Sequence, residues 1–136
     1  MQFRFKIPGE PVPKARPRVT RQGHAYTPRK TADYEALVKD CYRLQGGKYM
    51  GDSAIVSMIE LRFEIPKSYG KSKRERIMAG EIKHTKKPDV DNCVKAILDA
   101  LNGIAYKDDS QIVELTVDKQ YTDEGAGAIV TLEEVF

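Results

Sequence analysis

The segment Lys87-Pro88-Asp89-Val90-Asp91-Asn92-Cys93-Val94-Lys95, followed by Tyr106-Lys107-Asp108-Asp109-Ser110, sets four aspartates and a lysine around one predicted helix. Clustered carboxylates repel one another, and at an effective dielectric of about 20 a pair ~4 Å apart costs roughly 4 kcal/mol. A chain that gathers several therefore holds a divalent cation or raises a carboxyl pKa. All-oxygen donors suit hard ions, so Mg²⁺ is the expected cofactor and Mn²⁺ a possible substitute. Such an ion beside a basic surface points to metal-assisted hydrolysis of a phosphodiester.

The residue roles follow from spacing. Asp91, Lys95 and Asp99 are spaced i, i+4, i+8 and so line one face of the helix. Asp89 lies at its entrance, where a carboxylate also complements the dipole. A ten-residue helix and a short loop reverse the chain, so the Asp108-Asp109 turn is expected to return to that entrance. Asp89, Asp91 and one of Asp108 and Asp109 would then be the metal ligands. Lys95, one turn from Asp91, would stabilise charge developing on the phosphate or simply neutralise the aspartates. Asn92 is placed to orient a carboxylate, and Asp99 reads as an exposed partner of Lys95 more than as a ligand.

Plainer readings exist for the same residues. D-x-D-N is also what an N-cap with an acidic first turn looks like, and Asp108-Asp109-Ser110 can be only a turn. An EF-hand loop is excluded, because Cys93 and Val94 stand where that loop needs an Asp or Asn ligand and a glycine. His24 and His84 sit in basic loops without a nucleophile motif beside them. Tyr26, among arginines, is placed to stack on a base or to pack on the surface.

The rest of the chain supplies the framework around these groups. Met1, Phe3, Phe5 and Ile7 alternate with polar residues and predict a strand with one buried face, not a signal peptide. Residues 8–31 contain five prolines and read as a long irregular loop. That loop carries Lys14, Arg16, Arg18 and Arg21. Thr31 is expected to cap a helix over 32–46, with Tyr34, Leu37, Val38, Cys41 and Leu44 on its apolar face. Residues 54–65 predict the longest strand, and Ser72 with Glu75 a capping box for a short basic helix reaching Gly80. Asp91 or Asp89 caps the next helix, whose Val94, Ile97, Leu98 and Leu101 form a buried stripe. Strands follow over 111–119 and 127–134. The order β, α, β, α, α, β, β predicts a mixed α+β fold: one compact domain over 1–136, with helices packed on a mixed sheet of about four strands.

Composition narrows the partners. The chain has 136 residues, 40% apolar and 32% charged, ordinary for a globular domain, and no run of 18 apolar residues that would span a membrane. Cys41 and Cys93 form no CxxC and read as reduced core thiols of a cytoplasmic protein. The net charge of +3 hides an asymmetry: residues 1–30 carry +7 and 65–87 carry +6, against −8 over 88–136. Two basic blocks flanking an acidic part are a footprint of a polyanion, with Lys14, Arg16, Arg18, Arg21, Lys86 and Lys87 as the expected DNA contacts. Solvated basic loops would give the same count.

Taken together, Lys87-Pro88-Asp89-Val90-Asp91-Asn92, Lys95, Asp99-Ala100-Leu101-Asn102-Gly103 and Tyr106-Lys107-Asp108-Asp109-Ser110-Gln111 resemble the RusA family of Holliday-junction resolvases. Pro13-Lys14-Ala15-Arg16-Pro17-Arg18 and Tyr26-Thr27-Pro28 resemble its phage and prophage branch. The resemblance implies a small homodimeric endonuclease that needs Mg²⁺ and makes paired cuts in four-way DNA junctions. It places the catalytic aspartates at Asp89, Asp91 and Asp109 and the important lysine at Lys95. Some members carry an arginine immediately before the first aspartate; Pro88 stands there in this chain, leaving Lys86 and Lys87 to supply the charge. A junction-binding protein that no longer cuts, and a metal-dependent hydrolase with another nucleic-acid substrate, are the competing readings.

Overall fold

Alternation of apolar and polar residues builds a four-stranded sheet in the computed structural model, which describes residues 1–135. The strands are β1 (Gln2–Pro8), β4 (Ala54–Glu64), β5 (Ile112–Thr122) and β6 (Gly127–Val135), in the order β1-β6-β4-β5. β6 lies antiparallel to both β1 and β4, whereas β4 and β5 run parallel. A parallel pair needs a crossover, and the helices between β4 and β5 provide it. Phe5, Ile7, Ile55, Ile59, Leu61, Phe63, Val130 and Leu132 form the buried face. Against it lie α1 (Arg29–Leu44) and α3 (Val90–Ala100), which also pack on each other. A shorter helix, α2 (Lys71–Met78), buries only Ile77. The single compact mixed α+β domain expected from the sequence is thus present.

Several local expectations are corrected. The Pro-rich stretch is not wholly irregular, because β2 (Arg18–Val19) pairs with β3 (Ala25–Tyr26) in a small hairpin. Its turn closes through the Thr20 hydroxyl, which accepts the His24 amide at 3.1 Å. Helix α1 starts at Arg29 behind Pro28, so Thr31 does not cap it. The Thr31 side chain is buried and used in tertiary contacts instead. Leu44 is 85% exposed, off the apolar face, and Tyr42 takes a core place there. The Ser72–Glu75 capping box does not form: Gly70 holds the N-cap position, which moves Ser72 inside the first turn.

Candidate active site

Helix α3 has two faces. Cys93, Val94, Ala96, Ile97, Leu98 and Ala100 are buried, and burial pushes the Cys93 thiol up to about 11. Asp91, Asn92, Lys95 and Asp99 are left on the outer side. Asp89 occupies the N-cap position but makes no capping hydrogen bond. Its carboxylate and that of Asp91 are exposed, and among the described residues neither has an ion-pair partner. Asp89 opens onto a cleft of about 430 Å³ whose other walls are Pro13, Lys14, Lys87, Pro88 and Asn92. A second cavity, about 560 Å³, lies around Ile7, Pro8, Gln45 and Arg62. None of the candidate aspartates lines it.

Lys119 positions the approach to Asp89. It stands on the helix-facing side of β5, paired with Leu61, and donates to the carbonyls of Lys86 (2.6 Å) and Pro88 (2.9 Å). The segment carrying Lys86, Lys87 and Asp89 is thereby tied to the sheet edge. Sequence reasoning missed Lys119, although a lysine between Val117 and Tyr121 at an inward position was the available signal.

A second set of acids lies toward the other end of α3. Asp99 takes ion pairs from Lys95 (3.4 Å) and Lys14 (3.5 Å). Lys14 also reaches both Glu35 carboxylate oxygens at 3.1 Å. The Lys14 amide donates to the Asn92 carbonyl at 2.8 Å, the Ala15 amide donates to the Thr31 hydroxyl at 3.1 Å, and that hydroxyl faces the Pro13 carbonyl at 3.5 Å. Residues 13–15 therefore form a strap pinned between α1 and α3. Lys14, expected as a DNA contact, is turned inward with 17% of its side chain exposed. Glu35 was not singled out from the sequence, and nothing local marks it. Arg16, Arg18, Arg21, Lys86 and Lys87 are exposed as expected.

The Asp108-Asp109 turn lands beside this second set and not at the helix entrance. Tyr106 is fully buried and donates to the Leu98 carbonyl at 2.6 Å. Gln111 donates to the Gly51 and Ser53 carbonyls, each at 2.8 Å, and accepts the Asp108 amide at 2.8 Å. These bonds fix where the turn sits. Asp108 caps the turn by accepting the Ser110 amide at 3.0 Å, and its bonds to Ser110 hold its carboxyl below the usual range. Asp109 is half-buried, with Asp108 and Asp99 as its acidic neighbours. Burial, then the charges of Asp108 and Asp99, push its carboxyl up. Asp91 and Asp99 are about 12 Å apart along the helix axis. Among the described residues, no three acidic, histidine or cysteine side chains converge on one point.

The exposed carboxylates of Asp89 and Asp91 are hard oxygen donors of the kind that fits Mg²⁺. The family described as Endodeoxyribonuclease RusA matches residues 8–133. The chain belongs to the RusA endodeoxyribonuclease family. It is also similar to the uncharacterized protein YqaN of Bacillus subtilis (strain 168), 37% identical over 131 residues, which cover 90% of this chain and 89% of that protein. Membership in the RusA family makes the chain a nuclease, of a family that acts on branched DNA junctions. No helix among the described residues is long and apolar enough to cross a membrane.

Proposed function

We propose that this RusA-family chain is a structure-selective, Mg²⁺-dependent endodeoxyribonuclease that resolves four-way DNA junctions by paired phosphodiester hydrolysis. The observation that carries the reading is the pair Asp89 and Asp91, unpartnered and exposed at the entrance of α3, with Asp89 on a cleft edged by Lys87. Asp89 and Asp91 would hold the ion, and Mn²⁺ would substitute, while Asp109, beside Asp99 toward the other end of α3, stands outside that pair. When bound, Mg²⁺ polarises a phosphoryl oxygen and acidifies a water. Lys95, 60% exposed at its side chain, reaches outward to charge developing on the phosphate. Asp99 and Lys14 hold the neighbouring backbone and orient Lys95. Asp108 belongs to the turn and not to the ligand set.

Exposed Arg18 and Arg21 on the β2–β3 hairpin and Arg16 just before it, with Lys86 and Lys87, grip the DNA backbone, so affinity falls steeply with salt. A four-way junction has approximate two-fold symmetry, and two matched cuts need two sites related by that symmetry, hence a homodimer. The β5 edge exposes Val113 and Leu115, apolar surface of the kind a second copy covers. Free, buried Cys41 and Cys93 suit a reducing cytoplasm.

The test is cleavage of a synthetic four-way junction and a matched linear duplex, each with Mg²⁺ and with EDTA. Paired, metal-dependent cuts in the junction alone are expected. Tight junction binding without cutting would instead make the protein a branched-DNA binder. Equal cutting of both substrates would remove the junction claim and leave the metal chemistry.

A further inference from the structure

Beyond the aspartate cleft, residues from four separate segments converge on a second feature. After β4 the chain turns at Tyr69, whose amide donates to the Pro66 carbonyl at 3.0 Å. The segment returning from α2 then lays His84 and Lys86 alongside. Lys86 donates to the Tyr69 hydroxyl at 2.9 Å, and Lys73 Nζ stands 3.7 Å from the Tyr69 ring centroid. The His84 ring stacks on Phe63 at 4.4 Å and lies against Tyr121 at 4.8 Å. Together these rings and Lys86 line a cavity of about 380 Å³. Its rim continues through Lys87 and Pro88, so it opens one residue from Asp89.

Two ammonium groups crowd one phenol ring, and among the described residues neither Lys73 nor Lys86 has a carboxylate partner. An aromatic wall with unneutralised positive charge at its edge is what an unstacked nucleotide requires. The rings take the face of the base and the ammonium groups take its phosphate. Glu10 and Glu64 also line the cavity. One Glu10 oxygen accepts the Glu64 amide at 3.3 Å, and its remaining capacity suits an amino-bearing base edge. Taking a base out of a stack costs least where pairing is already interrupted, as at a branch point.

We propose that this cavity is a nucleotide subsite that takes one unstacked base of a DNA strand beside the scissile phosphate. Tyr69 and Tyr121 stack on the base, and Lys86 holds its phosphate, with Lys73 over the Tyr69 ring adding to the positive field. The inference rests on the nuclease reading for its substrate, but not on any cutting step.

The test is fluorescence anisotropy of the full chain with a labelled single-stranded tetranucleotide and with a matched duplex, in EDTA. Tyr69→Leu should weaken tetranucleotide binding about tenfold, the scale of one lost base–aromatic stack, while Tyr69→Phe loses less and duplex affinity is unchanged. Lys86→Gln should flatten the salt dependence for the tetranucleotide by about 0.7 in log–log slope. Lys86 is exposed, so this variant keeps the question open to measurement even where Tyr69→Leu folds poorly. Wild-type tetranucleotide affinity and slope in both variants would overturn the subsite, as would failure of the wild-type chain to bind the tetranucleotide. Junction cutting in Mg²⁺ with both variants binding normally would remove the subsite and leave the nuclease. No cutting, with Tyr69-dependent binding, would do the reverse.

Discussion

Lys14→Met separates a holding role from a DNA-binding one. The substitution keeps most of the aliphatic stem and removes the ammonium. In the fold that ammonium lies 3.1 Å from both Glu35 oxygens and 3.5 Å from Asp99, with side-chain exposures of 17%, 16% and 20%. A fully exposed pair is worth about 0–1 kcal/mol, while removing one partner of a buried pair costs about 3–5 kcal/mol. At this intermediate burial we expect a loss of about 2 kcal/mol. Unfolding entropy near 2.1 cal/mol/K per residue gives about 0.29 kcal/mol/K for this chain, so Tm should fall by about 7 °C. In a cycle with Glu35→Gln, the pair should couple by about 1 kcal/mol. Junction affinity, measured well below the variant's Tm, should keep the wild-type salt slope, because an inward-facing lysine releases no counterion from DNA. A Tm within about 1 °C of wild type would refute the strap, and a slope smaller by about 0.9 would make Lys14 a phosphate contact after all.

Other expectations concern the acids, the hairpin and the thiols. Asp91→Asn, which puts a weakly binding amide in place of a carboxylate ligand, should cut junction cleavage at least about 100-fold, whereas Asp108→Asn, with an equally good capping side chain, should stay close to wild type; equal losses would refute the division of roles. Because the folded carboxyl of Asp109 is pushed above its unfolded value, its stabilising contribution is complete below the unfolded pKa of about 3.9 and is lost as pH rises through the folded one. Metal-free Asp109→Asn should therefore melt higher than wild type at pH 7 and no higher at pH 3, read by thermal scans. Replacing Arg16, Arg18 and Arg21 together by Gln should reduce the salt slope of junction binding by about 2.7, if each meets one phosphate. Cys41 and Cys93 are both buried, with thiols pushed up by that burial; a thiol reagent at pH 7.4 should label neither until the chain is unfolded.

Periodicity made most of the framework legible. The alternation in Phe3-Arg4-Phe5-Lys6-Ile7 and the stripe Val94, Ile97, Leu98, Leu101 are local records of which face is buried, and the fold follows them. What escaped depends on contacts between distant residues. Thr31 has the chemistry of a cap, yet its hydroxyl meets residues 13–15 of the strap, a use that no neighbouring residue announces. Lys14 looked like one more cation in a basic loop, because Glu35 is 21 positions away and Asp99 farther still.

The landing of Asp109 has the same cause. Helix length and loop length allow the turn to reach either end of α3. The bonds from Tyr106 to Leu98 and from Gln111 to residues 51–53 select the end near Asp99. This choice spreads the acids along the helix instead of massing them. Asp99 and Asp109 sit with Lys14 and Lys95 to offset their repulsion. Asp89 and Asp91 stand two turns away with no cation of the described chain paired to them. Since an unpaired carboxylate couple is the more available to an external cation, the helix entrance is where a hard ion gains most and displaces least.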